Sequence, residues 1–182
     1  MLSGFRTSNQ DPDALLSSYV ALYNACLTPR PGPDFHVGIH LCRGNFAYSR
    51  HFSEGGYDRV AKILFNDIDV DTYFLEYDTE RAGGFEPLQW LPGHKNVIVG
   101  VVTSKFPELE DVEEMKGRVM QAAEWVAKGA GQTREEALKR MGVSPQCGFA
   151  SHHLGNLVSR EDMVEKLRLV RRVAGEVWPG EP

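Results

Sequence analysis

The sequence has 182 residues, 42% hydrophobic and 25% charged, a globular composition long enough for one domain with its own core. A net charge of −5 with no Lys/Arg block gives no electrostatic basis for binding nucleic acid. The first ten residues are polar and lack the apolar core of a signal peptide, and no apolar run reaches spanning length, so a cytoplasmic protein without membrane contact is expected.

Asp11 can cap a first helix that has Pro12 at its first position. Leu16, Val20, Tyr23 and Leu27 follow at helical spacing, and the proline-rich stretch 29–33 ends the helix. A strand is predicted over 35–41. After Ser53-Glu54-Gly55-Gly56, a short helix over 57–66 turns Val60, Ile63 and Leu64 inward, and strands follow over 72–77 and 96–102. The segment 111–128 is a helix with Met115, Val119, Ala122 and Val126 on one stripe and Gly129 placed to stop it. Thr133 and Glu136 form a capping-box pattern for a short helix ending near Gly142. A strand is expected over 146–150, and Ser159 caps a last helix with the stripe Met163, Leu167, Val170, Ala174 and Val177.

Strands separated by helices imply a parallel sheet with helical crossovers in a single domain, residues 1–182. Four such units are too few to close an eight-stranded barrel, which needs about 250 residues. The fold class is therefore α/β, either a small open sheet or part of a (β/α)8 TIM barrel.

Residues two apart share a face of a strand, so His36, Gly38, His40 and Cys42 point one way. His40-x-Cys42 alone reads more readily as a core histidine beside a buried thiol. Two later strand ends add to it. Glu76 and Asp78 close an apolar run on one face, where a carboxylate needs a partner. Cys147 sits near the end of the fourth strand segment. Imidazole, two thiols and a carboxylate at one rim suit zinc. Two thiolates and a carboxylate outweigh the ion, which favours holding a substrate thiol as a nucleophile over generating hydroxide. The chemistry indicated is alkyl transfer to sulfur.

The segments HLCRGN (His40 to Asn45), FLEYD (Phe74 to Asp78), ERAGGFEPL (Glu80 to Leu88) and SPQCGFAS (Ser144 to Ser151), followed by Gly155-Asn156, resemble the C-terminal barrel of cobalamin-independent methionine synthase and its shorter UROD/MetE-like relatives. The resemblance spans nearly the whole chain and covers the last four βα units of that barrel. It implies a zinc held by His40, Cys42, Glu76 and Cys147, with Glu76 favoured over Asp78 as the carboxylate ligand. It also implies a small-molecule thiol substrate and an alkyl donor, homocysteine and a methylated folate in the synthases; related enzymes open epoxides with a thiol. The earlier strands have no counterpart here. The chain is then either a truncated, non-catalytic zinc-binding half-barrel or one that covers its open first edge by association into a homo-oligomer.

Arg43 and Asn45, in the loop after Cys42, and His152 are candidate substrate contacts; Arg43 is equally an ordinary surface arginine. His36 is expected as a core or supporting histidine, and Cys26 as a buried small hydrophobe. Asp67, Asp69 and Asp71 read as a solvated loop-to-strand edge, and Trp90, Trp125 and Trp178 as packing anchors. A Cys147–His152 nucleophile pair lacks an orienting partner.

Overall fold

The computed structural model describes residues 11–32, 34–149 and 152–181; the end of the predicted 146–150 strand and of the SPQCGFAS segment lies outside them. Asp11 caps helix α1 (Pro12–Cys26) by accepting the N–H of Asp13 at 3.0 Å. Strand β1 (Gly38–Leu41), helix α2 (Ala61–Asp67) and strand β2 (Thr72–Glu76) follow. Two 3-10 turns, Glu80–Ala82 and Glu86–Trp90, cross over to strand β3 (Asn96–Val102). Helices α3 (Val112–Ala130) and α4 (Arg134–Leu138), strand β4 (Met141–Pro145) and helix α5 (Arg160–Val177) complete the order. The strands form one parallel sheet in the order β1-β2-β3-β4, half of an eight-stranded barrel. Among the described residues no helix is long and apolar enough to cross a membrane.

The register aligns Gly38, Thr72 and Asn96, so the strands share two continuous faces. One carries Ile39, Leu41, Tyr73, Leu75, Val97, Val99 and Met141 against the helices, where Leu64, Phe65, Met115, Val119, Leu169 and Val173 close the core. The other carries His40, Phe74, Ile98 and Gly142 side by side. A closed barrel turns this face inward; here His36, His40 and Phe74 are exposed. His36 is therefore not a core residue, although its Nε2 lies 2.7 Å from Thr72 Oγ1.

Several expectations are corrected. The fourth strand starts five residues earlier than the predicted 146–150, because Met141 and Val143 alternate onto the helix side while Gly142 fits against Ile98. Cys147 consequently lies in the loop beyond β4. Helix α3 runs past Gly129 to Ala130 and ends at Gly131, which takes φ 64°; Gly129 instead lets the helix touch the backbone of Gln89, where any Cβ would collide. Helix α1 packs on α2 and buries only Val20 among the described residues, while Tyr23 and Cys26 face outward. On α5 the inward stripe is Lys166, Leu169 and Val173, and Leu167 is exposed. Trp125 and Trp178 pack on the core, whereas Trp90 is largely exposed. The acids near β2 are not merely solvated: Arg30 bridges Asp69 at 3.1 Å and Asp71 at 2.9 Å, and Asp71 also accepts the N–H of Val37.

Polar ties also hold the carboxyl rim of the sheet. Lys166 is fully buried on α5 and donates to Glu108 O at 2.6 Å and to Glu110 Oε2 at 3.0 Å. Glu110 Oε1 in turn accepts the N–H of Thr103 just past β3. The loop after β3 is thereby fixed to α5.

Candidate metal centre

In a flat sheet the first and fourth strands stand about 14 Å apart. Yet the side-chain donors of His40 and Cys42, at the end of β1, and of Cys147, after β4, all lie within 4.8 Å of one another. The curl of the half-barrel and the inward path of the loop after β4 bring them together. His40 Nε2 is 3.4 Å from Cys147 Sγ. The histidine is exposed and both cysteines are half-buried, so the cluster opens on one side.

A buried amide network sets that loop. Asn45 donates to Gly148 O at 2.7 Å and to Ser104 Oγ at 3.3 Å; Ser104 Oγ donates to Gln146 Oε1 at 2.7 Å. Asn156 donates to Ser104 O at 2.7 Å and to Asn45 Oδ1 at 3.3 Å. The loops after β1, β3 and β4 are joined in this way on either side of Cys147. Ser104 and Gln146 carry no sequence signal that would have singled them out.

Gly100, paired with Glu76 and Ser144, fixes the spacing from below. A Cβ there would stand 2.8 Å from Gln146 Cα and 2.9 Å from Leu75 O, so only glycine lets β4 approach this closely.

The thiols titrate as a pair. A hydrogen bond from Cys147, with a second from His40, lowers the Cys42 thiol to about 4. The same bond, with burial, drives the Cys147 thiol far upward, so the pair keeps one proton across the neutral range. His40 is raised, first by its bond to Cys42, against burial and the charge of Lys105.

Glu76 is fully buried at the end of β2 and lies outside the three-donor group. Its Oε2 accepts the Arg43 N–H at 2.6 Å and its Oε1 accepts from Arg81 Nη2 at 2.7 Å, with Lys105 Nζ 3.8 Å away. Asp78 stands behind it, 3.5 Å from Arg81 and 3.9 Å from Lys105. Nothing in the sequence singled out Lys105, although it follows β3 at the rim where Glu76 ends β2.

Arg43 is neither a surface residue nor free for a substrate. It is buried and donates to Gly55 O, Tyr57 Oη, Glu76 O and Ala82 O at 2.8–3.3 Å, with its guanidinium over the Tyr57 ring. It thus locks the 55–57 loop to the 82–83 turn, where Gly83 takes φ 79° and a Cβ would stand 2.6 Å from Gly56 Cα. Asn45 is likewise buried, within the amide network. His152 is half-buried near Phe46 and His153, and its Nδ1 accepts the N–H of Leu154; the imidazole that meets Cys147 is that of His40. A groove of about 710 Å³ between α2 and the end of α3 lies at the opposite end of the sheet and contains none of these residues.

The three donors can be tested against zinc. Zn–S near 2.3 Å and Zn–N near 2.0–2.1 Å in a tetrahedron place sulfurs about 3.8 Å apart and sulfur and nitrogen about 3.6 Å apart. The His40–Cys147 distance already agrees, and the widest allowed separation, 4.8 Å, needs to close by about 1 Å. Two soft thiols and an imidazole fit that ion.

Four parallel βα units with sulfur and nitrogen donors at the carboxyl rim define half of a (β/α)8 barrel bearing a candidate metal centre. Residues 4–176 match the model of the catalytic domain of the cobalamin-independent synthases, and the chain belongs to that family. It is 40% identical over 168 residues to the uncharacterized protein YxjG of Bacillus subtilis, covering 92% of this chain and 41% of YxjG. It is 37% identical over 174 residues to YxjH of the same organism, covering 95% and 43%. A Listeria monocytogenes structure provisionally assigned as a vitamin-B12-independent methionine synthase superposes with TM-score 0.68 at 31% identity, covering 95% of this chain and 44% of that one. A B12-independent methionine synthase from Shewanella sp. W3-18-1, in complex with selenomethionine, shares the fold with TM-score 0.66 at 17% identity, covering 91% and 44%. The chain spans less than half the length of each relative.

Proposed function

We propose that this chain binds zinc through His40, Cys42 and Cys147, with Glu76 as fourth ligand, and supplies the metal-bearing half of an enzyme that transfers a methyl group to a substrate thiol. The convergence of an imidazole and two thiols from opposite edges of the sheet carries this reading. The family supports a methionine synthase-like reaction, and we assign homocysteine as the thiol and a methylated folate as the donor. Bound at these residues, zinc supplies a Lewis-acid position at which a thiol stays deprotonated at neutral pH.

The chain's own groups prepare that position. The two thiols share one proton before binding, so the pair has a single proton to release to form both thiolates. Asn45 and Arg43 keep the loops around the donors in place, and His152, at the rim, is the residue we assign to substrate contact. Residues 1–182 act as one domain in this reading. Its uncovered face around Phe74 and Ile98 requires a second half, from a longer polypeptide or from a second copy.

The test is methionine formation from homocysteine and methylated folate by the zinc-loaded chain, followed by mass spectrometry. Product that disappears in Cys147→Ser supports the proposal. A chain that holds zinc, forms its complete oligomer and gives no product contradicts the methyl-transfer reading.

A further inference from the structure

Glu76 faces a conflict as a metal ligand. Both of its oxygens are engaged, Oε2 by the Arg43 N–H and Oε1 by Arg81 Nη2 at 2.7 Å, with Lys105 Nζ at 3.8 Å. A carboxylate held by a guanidinium must give up a charge-assisted bond before it can turn to a metal. Asp78, two residues on, is buried beside the same two cations. Its Oδ1 is 3.5 Å from Arg81 Nη2 and its Oδ2 3.9 Å from Lys105 Nζ. Among the described residues neither Asp78 oxygen makes a hydrogen bond, and neither does Lys105 Nζ or Arg81 Nη1. A buried ammonium and carboxylate this close, with no hydrogen bond to either, is a costly arrangement. A small movement would close it.

We propose that Asp78, Arg81 and Lys105 form an exchange site for Glu76: when a metal occupies His40, Cys42 and Cys147, Glu76 turns to it and the two cations close on Asp78. The inference rests on the zinc reading above. Two carboxylates and two cations are balanced without the metal, and a zinc ion with two thiolates is itself neutral. The exchange therefore leaves the buried layer neutral overall, with the metal centre at −1 facing a net +1 on Arg81, Lys105 and Asp78. Lys105 is the fixed pole, because its N–H donates to Thr103 Oγ1 at 3.2 Å and its carbonyl accepts from Ser49 Oγ. Arg81 is the mobile pole, carried on the short Glu80–Ala82 turn and partly open to solvent. Asp78 is then the acceptor that makes release of Glu76 inexpensive. All three are positioning residues acting through Glu76.

The experiment is zinc affinity measured by competition with a chromogenic chelator, on wild type, Arg81→Gln, Asp78→Asn and the double variant. Arg81→Gln is expected to bind zinc about tenfold tighter, because Glu76 no longer leaves a charge-assisted bond. Asp78→Asn is expected to bind about tenfold weaker, because the released cations have no acceptor. In the Arg81→Gln background the Asp78→Asn loss should shrink severalfold, since most of it runs through Arg81. That coupling separates exchange from a through-space charge effect, whose contributions add. Arg81→Lys should return most of the wild-type affinity, and the cobalt-loaded Asp78→Asn protein should show an altered ligand-field spectrum as Glu76 dissociates. If Arg81→Gln does not fold, Lys105→Met replaces it in the cycle with the same expected signs. Additive effects in a wild type that binds zinc stoichiometrically overturn the exchange alone. A wild type that binds no zinc overturns both the exchange and the zinc reading.

Discussion

Replacing Arg43 with methionine keeps most of the aliphatic stem and removes only the guanidinium. Four donations disappear, to Gly55 O, Tyr57 Oη, Glu76 O and Ala82 O, and these acceptors remain in the interior. Hydrogen bonds to a charged group contribute about 1.5–3 kcal/mol each, but four sharing one guanidinium do not add. Each buried neutral acceptor left unpaired costs about 1–3 kcal/mol, which sets the loss for the set at about 3–5 kcal/mol. That is a large share of the roughly 5–15 kcal/mol that stabilises a domain. For a chain of this size it corresponds to a fall in Tm of about 6–20 °C. Urea unfolding followed by circular dichroism measures it, with Arg59→Met as control. Arg59 is half-exposed and only 3.4 Å from Asp13, so its loss should cost under about 0.5 kcal/mol. An Arg43→Met protein as stable as the Arg59→Met control would refute the assignment of Arg43 to the frame and return it to substrate binding.

Gly100→Ala should cost about 1–3 kcal/mol, because the new Cβ meets Gln146 Cα and Leu75 O at 2.8–2.9 Å. It should also weaken zinc binding by moving Cys147, and unchanged affinity in a calorimetric titration would argue against rigid placement of that thiol. Tyr77→Phe should be neutral or stabilising at neutral pH, since among the described residues the buried Tyr77 hydroxyl has no hydrogen-bond partner. Burial raises that hydroxyl well above its ordinary 10, so the folded chain keeps it neutral while the unfolded chain ionises. The folded chain therefore loses stability through this group as pH rises beyond 10, and none below it. Denaturation curves across that range should fall less steeply for Tyr77→Phe, and parallel curves would contradict the assignment.

The half-barrel was legible because apolar runs alternate with capped helices; Thr133 forms its predicted capping box, and Ser159, predicted as a cap, forms one with Asp162. The fourth strand was displaced because Gly142 and Pro145 disguise it, whereas Gly142 is required by Ile98 across the sheet. Periodicity also predicts which helical face is apolar without saying what lies opposite, which is why Tyr23 and Cys26 were expected inside. His40 and Cys42 could be paired from sequence because two residues on a strand share a face. Arg81 and Lys105 could not, since they meet Glu76 only through the packing of two separate loops, one after β2 and one after β3. The role of Arg43 was equally hidden: a buried arginine and a surface arginine look the same until their acceptors are known.

Elemental analysis of the zinc-reloaded chain after dialysis decides whether His40, Cys42 and Cys147 form a metal centre. One zinc per wild-type chain is expected, lost in both His40→Ala and Cys147→Ser. A wild-type chain that retains no zinc, or a Cys147→Ser chain that retains as much as wild type, would contradict it.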